Sequence, residues 1–174
     1  MALLSKLFGS GATDDHLDRQ AKTLVSAARI FATGSYTQFA QELPITFNIS
    51  IDDWDFFLTV GGVFIAASGL NQMEVSDAVE DRLMESVARD LESWNADSIR
   101  AFEDCKQLFE DTYDTLATQD EYRNDERFLG ADAVGLWIAW NLLGHRPDTT
   151  DELKLHRFVG VAVTHSFLNW WKPS

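Results

Sequence analysis

Residues 53–70 read DWDFFLTVGGVFIAASGL, and the way this stretch folds decides the class of the whole chain. Two local readings compete. Residues 56–60 and 63–67 around Gly61 and Gly62 fit two short strands joined by a tight turn. Just upstream, ITFNISI at 45–51 alternates apolar and polar residues, which is a strand pattern. Together these segments would make a three-stranded sheet. Against this, Ser50 or Asp52 is a good helix cap, and Trp54, Leu58, Ile65 and Leu70 sit among small residues suited to a buried helix. Period alone does not separate one helix from a hairpin here. The helix is the reading adopted, and 45–51 is then an extended connector with no strand to pair with.

The same region contains the longest uncharged stretch, residues 56–73, at the lower edge of a membrane-spanning length. Asp52, Asp53, Asp55 and Glu74 flank it, with no basic residue beside either end to set an orientation. It also carries Gly61, Gly62, Ser68, Gly69, Asn71 and Gln72. A buried helix is expected rather than a membrane span. The opening MALLSKLFGSG is too short and broken for a signal peptide, so a cytoplasmic location is expected. Residues 1–12 are expected to form a flexible arm, and 13–174 a single helical domain.

Helical signals continue on both sides. Thr13 is a cap candidate, and Leu17, Ala21, Leu24, Ala28 and Phe31 form one stripe that Gly34 is expected to close. A short second helix is expected over 35–42. Val75, Val79, Leu83, Val87 and Leu91 step by four behind Ser76, up to Trp94. Asn95 or Asp97 opens the next helix, with Ile99, Phe102, Phe109, Tyr113 and Leu116 facing in. Residues 117–129 read as loop. Asp132 is expected to cap a helix over 133–143, with Gly144 after its end. Thr149 and Glu152 form a capping box for the last helix, 151–171. That helix is apolar on most sides from Phe158 onward. The fold class expected is all-α, a single-domain bundle of five or six helices with the last helix central and buried.

The chain has 174 residues and a net charge of −14, from 28 acids and 14 bases. That excess argues against nucleic-acid binding, which depends on Lys and Arg neutralising phosphates. It is concentrated: residues 74–126 hold 17 acids and 5 bases, a balance of −12. The face they form either steers a basic partner or keeps two outer helices solvated. A single cysteine excludes a disulfide framework, and no Cys-rich metal site is available.

Local catalytic signatures are absent. There is no Gly-x-Ser-x-Gly, no phosphate-binding loop and no Glu-x-x-His pair. His156 and His165 lie nine residues apart, on opposite sides of a helix, so they cannot share an ion. No metal and no cofactor is expected. Two polar residues interrupt apolar stripes: Asn141 within 133–143 and His165 within 151–171. If the two helices are antiparallel neighbours, a buried His165 hydrogen-bonded to Asn141 is expected, because an unpaired buried polar group is costly. Trp137 and Trp140 at i, i+3 complete a candidate ligand-binding set with His165 and Asn141.

Three function classes follow. The first is a non-enzymatic helical interaction protein with an acidic surface, binding a protein partner or itself through that face or through Trp170 and Trp171. The second is a small-molecule-binding bundle with an aromatic-lined pocket between 133–143 and 151–171. The third is an enzyme whose site is assembled from scattered His, Asp and Glu. The missing catalytic signatures favour the first.

Overall fold

Ser50 stands at the start of the decisive stretch with extended backbone, and its hydroxyl accepts the Asp53 N–H at 3.0 Å. Asp52 and Asp53 lie in the first turn, where the helix dipole favours acids. The stretch is therefore one helix, Ile51–Leu70, in a computed structural model that describes residues 5–42, 48–73, 75–117 and 126–172. Gly61 and Gly62 make no turn. A Cβ on Gly61 would lie 2.7 Å from Ile138 Cδ1, and one on Gly62 3.0 Å from the Phe167 ring. The pair admits two neighbouring helices.

Among the described residues six helices form and no strand: α1 (Ser5–Glu42), α2 (Ile51–Leu70), α3 (Asp77–Trp94), α4 (Ser98–Ala117), α5 (Glu126–Leu143) and α6 (Thr150–Phe167). This is an all-α bundle. The connector expected at 45–51 lies mostly outside the described residues; Asn48 to Ser50 take no regular structure, and Ile51 already belongs to α2.

α2 is packed by α1, α4, α5 and α6. Leu58, Val60, Val63 and Leu70 are fully buried in it. By length and composition it would also cross a membrane, but 67% of its apolar window is covered by the other helices. The central place expected for the last helix belongs to α2 instead. α6 buries one face, through Leu155, Val159, Val163 and Phe167, and leaves Val161, His165 and Ser166 exposed.

Three helices differ in extent from the sequence reading: α6 ends at Phe167 and not at 171, α1 begins at Ser5, so residues 5–12 of the expected flexible arm are helical, and α1 and α5 run through the expected caps. α1 passes through Thr13 and Gly34 as a single helix of 38 residues. Its buried stripe crosses Gly34, from Ala32 to Ser35, with Tyr36 and Phe39 half-buried beyond. The Ser35 hydroxyl donates to Ala32 O at 2.8 Å and accepts Trp54 Nε1–H at 3.1 Å. Gly34 faces open space on the far side. Its helix-breaking cost, about 1 kcal/mol, is smaller than the gain from burying the residues around it. Likewise α5 begins at Glu126, and Asp132 lies inside it, 3% exposed. Leu129, Ala133 and Leu136 are all buried at helical spacing, so the apolar face starts before the expected cap.

α5 and α6 form the most extensive pair in the molecule. They cross backbone to backbone: a Cβ on Gly160 would collide with the Ala131 carbonyl oxygen, and one on Gly135 with the His156 carbonyl oxygen. Gly144 closes α5 with φ 75°, as its position after the helix suggested. The capping box at Thr149 and Glu152 is present in both directions. Glu152 Oε2 accepts the Asp148 and Thr149 N–H groups at 3.1 Å each, and these bonds hold its carboxyl down at about 2 from an ordinary 4.5.

Two expectations follow. Gly160→Ala forces α5 and α6 apart and lowers stability by about 2–3 kcal/mol, whereas Gly34→Ala raises it by about 0.5–1 kcal/mol. Urea unfolding of the pair should give opposite signs for the same chemical change. The Glu152 contribution is complete above pH 4.5 and fades as pH falls toward about 2, because the folded carboxylate resists protonation and the unfolded one does not. Glu152→Gln should flatten the acid limb of the stability profile measured by thermal melts.

Candidate functional site

α3 and α4 are amphipathic, and each turns its apolar face inward. Leu83, Val87 and Leu91 are the buried residues of α3. The Asn95 side-chain oxygen accepts the Asp97 N–H at 2.9 Å and turns the chain into α4. α3 then leans more on α1 than on α4, its hairpin partner. Arg82 of α3 reaches Asp18 of α1 at 3.1 Å. Two hollows, of about 410 and 320 Å³, open between α3 and α4 and meet at Met84 and Phe102. Near the turn the floor is Val87, Ala88, Leu91 and Ile99. At the other end it is Phe64 and Phe109, whose ring centroids are 5.0 Å apart.

The rim is acidic. Asp81, Glu85 and Glu103 edge the first hollow, Glu80 and Glu110 the second, and Lys106 is the one base lining either. None of these five carboxylates takes part in an ion pair among the described residues. The groove therefore pairs an apolar floor with uncompensated negative banks.

The residues singled out from sequence do not converge. Asn141 is exposed and donates to Trp137 O at 2.8 Å, within its own helix. Trp137 is buried, its ring 5.6 Å from Phe57. Trp140 is 38% exposed. His165 is exposed, against the expectation of a buried and bonded histidine. It borders a separate hollow of about 440 Å³ with Phe128, Ala131, Val161, Thr164 and Leu168. The antiparallel register explains the separation. Gly135 and Gly160 meet at the crossing, so His165 lies toward the start of α5, and Asn141 toward the start of α6. About thirteen residues of helix, roughly 20 Å, lie between their levels.

Trp170 and Trp171 are not a free tail. Trp171 is buried and donates Nε1–H to Ala66 O at 2.6 Å, and Trp170 Nε1–H donates to Gln20 O at 3.2 Å. Sequence reasoning missed the buried acid. Asp132 Oδ2 accepts from Arg157 Nη2 at 3.4 Å, and its backbone carbonyl accepts Nε2–H from His156 at 2.7 Å. These contacts tie α5 to α6 beside the glycine crossing. Cys105 is fully buried, and burial pushes its thiol well above the ordinary range, so it is not a poised nucleophile. Among the described residues no three His, Cys, Asp or Glu side chains converge as a metal set.

An exposed His165 carries little of the fold. His165→Ala should change stability by no more than about 0.5 kcal/mol in urea unfolding; a loss of several times that would restore the buried histidine.

No protein-family model matches the chain, and neither a curated protein nor a solved structure is significantly similar to it.

Proposed function

We propose that this chain is a non-enzymatic interaction protein that binds a basic protein partner through the face formed by α3 and α4. The observation that carries the reading is the apolar groove at Met84 and Phe102 with five unpaired carboxylates on its banks. A solvated outer surface needs charge, but it does not need an open apolar floor beneath the charge. The apolar surface that reaches solvent there is a narrow strip, half-buried Met84, Ala88, Ile99, Phe102 and Phe109 over buried Val87, Leu91 and Phe64, and it is the unpaired charge on both banks, not the size of the strip, that distinguishes it. Concentrated like charge speeds encounter with an oppositely charged partner and disfavours others.

One observation supports a second reading, a small-ligand site. The hollow between α5 and α6 sets exposed Phe128 and Val161 beside Thr164, whose buried hydroxyl has no hydrogen-bond partner among the described residues. This hollow is less well supported than the α3–α4 groove, because it has no charge pattern that selects an occupant. The enzyme reading has the least support. His145 sits 3.5 Å from Glu152 at the α5–α6 turn and His156 is bonded to a carbonyl, so both are occupied at helix junctions.

The test is site-specific cross-linking in cells. A benzophenone side chain in place of Glu85, on the rim, should capture a protein on irradiation. The same group in place of exposed Leu153, on α6, should capture none or a different set. No captured protein at position 85, or the same set at both positions, overturns the reading.

A further inference from the structure

We infer that the groove between α3 and α4 receives one basic amphipathic helix of another protein; this rests on the interaction reading above and narrows it to a kind of partner. Length comes first. The groove runs along α3 from Glu80 to Leu91. At 1.5 Å per residue that is about 16 Å, or three helical turns. Three turns present apolar side chains at i, i+4, i+7 and i+11, a stripe about as long as the floor, which runs from Leu91 and Ile99 near the turn through Met84 and Phe102 at the waist to Phe64 and Phe109 at the far end. Met84 and Phe102 are only half-buried, and a methionine at the waist adapts to the shape of an incoming side chain.

The occupant's backbone argues for the same form. An extended peptide would need donors and acceptors from a sheet edge, and the described residues of this all-α chain offer none. A helix brings its backbone already bonded and asks only for an apolar floor. The banks set the charge. Glu80, Asp81 and Glu85 stand on the α3 side, and Glu103 and Glu110 on the α4 side. Lys or Arg on both flanks of the apolar stripe would meet them. A second copy of this face carries the same acids and would be repelled, as would the phosphates of a nucleic acid.

The probe is a synthetic peptide of about 18 residues, long enough to cover the groove with a turn to spare at each end. It has Leu at i, i+4, i+7 and i+11, Lys on both flanks and Ala elsewhere. Its control has the same composition scrambled so that no apolar stripe forms. Fluorescence anisotropy should show the amphipathic peptide binding at least about tenfold tighter than the control, a difference of about 1.4 kcal/mol. Circular dichroism should show it becoming helical on binding. Phe102→Ala should weaken it about tenfold. Because Phe102 also packs against Phe64, 5.7 Å between centroids, the second variant is Ala88→Arg. It places a bulky cation in the groove from a half-buried helical position, and its fold is checked by the near-ultraviolet spectrum. The control variant Leu153→Ala should bind as the parent does.

Equal, salt-sensitive binding of both peptides would overturn the inference and leave a charged interaction face standing. Absence of binding by either peptide would overturn it too. So would a dimer in sedimentation that Ala88→Arg dissolves, since a second copy would then be the occupant. The cross-link at position 85 separates the two levels. A captured protein that lacks a basic amphipathic segment at the point of attachment leaves the interaction reading in place and removes this one.

Discussion

A twenty-residue helix with no charged side chain from Phe56 onward has no face to give to water. The rest of the architecture follows from covering it. Four helices pack on α2, and the glycines along it let two of them approach closely, at Ile138 and Phe167. Its Trp54 end is closed by Ser35, Tyr36 and Phe39 of α1. At the other end Trp171 reaches Ala66. Such enclosure is worth on the order of 25 cal/mol for each Å² of apolar surface removed from water. That scale explains why α1 runs on through Gly34 and why the chain beyond α6 stays docked.

α3 is the helix that this enclosure does not require. It buries only Leu83, Val87 and Leu91 and rests mainly on α1. Because it leans that way, the far side of α2, at Phe64, Ala67 and Ser68, forms part of a groove floor instead of being sealed. The groove is a consequence of four helices covering one, with a fifth, α3, attached at the edge of that cover.

Much of this was legible in the sequence, and the failures have physical causes. The caps at Ser50 and Thr149 were readable because a hydroxyl three residues before an N–H has one favourable use there. Gly34 and Asp132 misled because punctuation residues are local signals, and burial on both sides outweighed them. The pairing of His165 with Asn141 failed on arithmetic open to sequence alone. In an antiparallel hairpin turning at 144–149, residue 165 faces about residue 128 and residue 141 faces about residue 152. The groove left a fainter trace. Met84 and Ala88 widen the apolar face of α3 beyond the stripe that the core uses, and that surplus becomes visible only once the core is known.

Charge and groove bear on each other through stability. Gathering acids on α3 and α4 builds self-repulsion into the folded state, since the two packed helices bring them together. The described ion pairs relieve little of it: Arg100 lies 4.0 Å from Asp104 and Arg82 is turned toward α1, while the five rim acids have no such pair. A cationic occupant would remove that repulsion and cover the apolar floor in one event. By linkage, whatever it gains on the folded state it adds to the stability of α3, which buries only three residues and has no extensive contact with α2. The groove and the acids around it therefore act on the same weakness of the fold, and a partner that satisfies one without the other would leave half of that weakness in place.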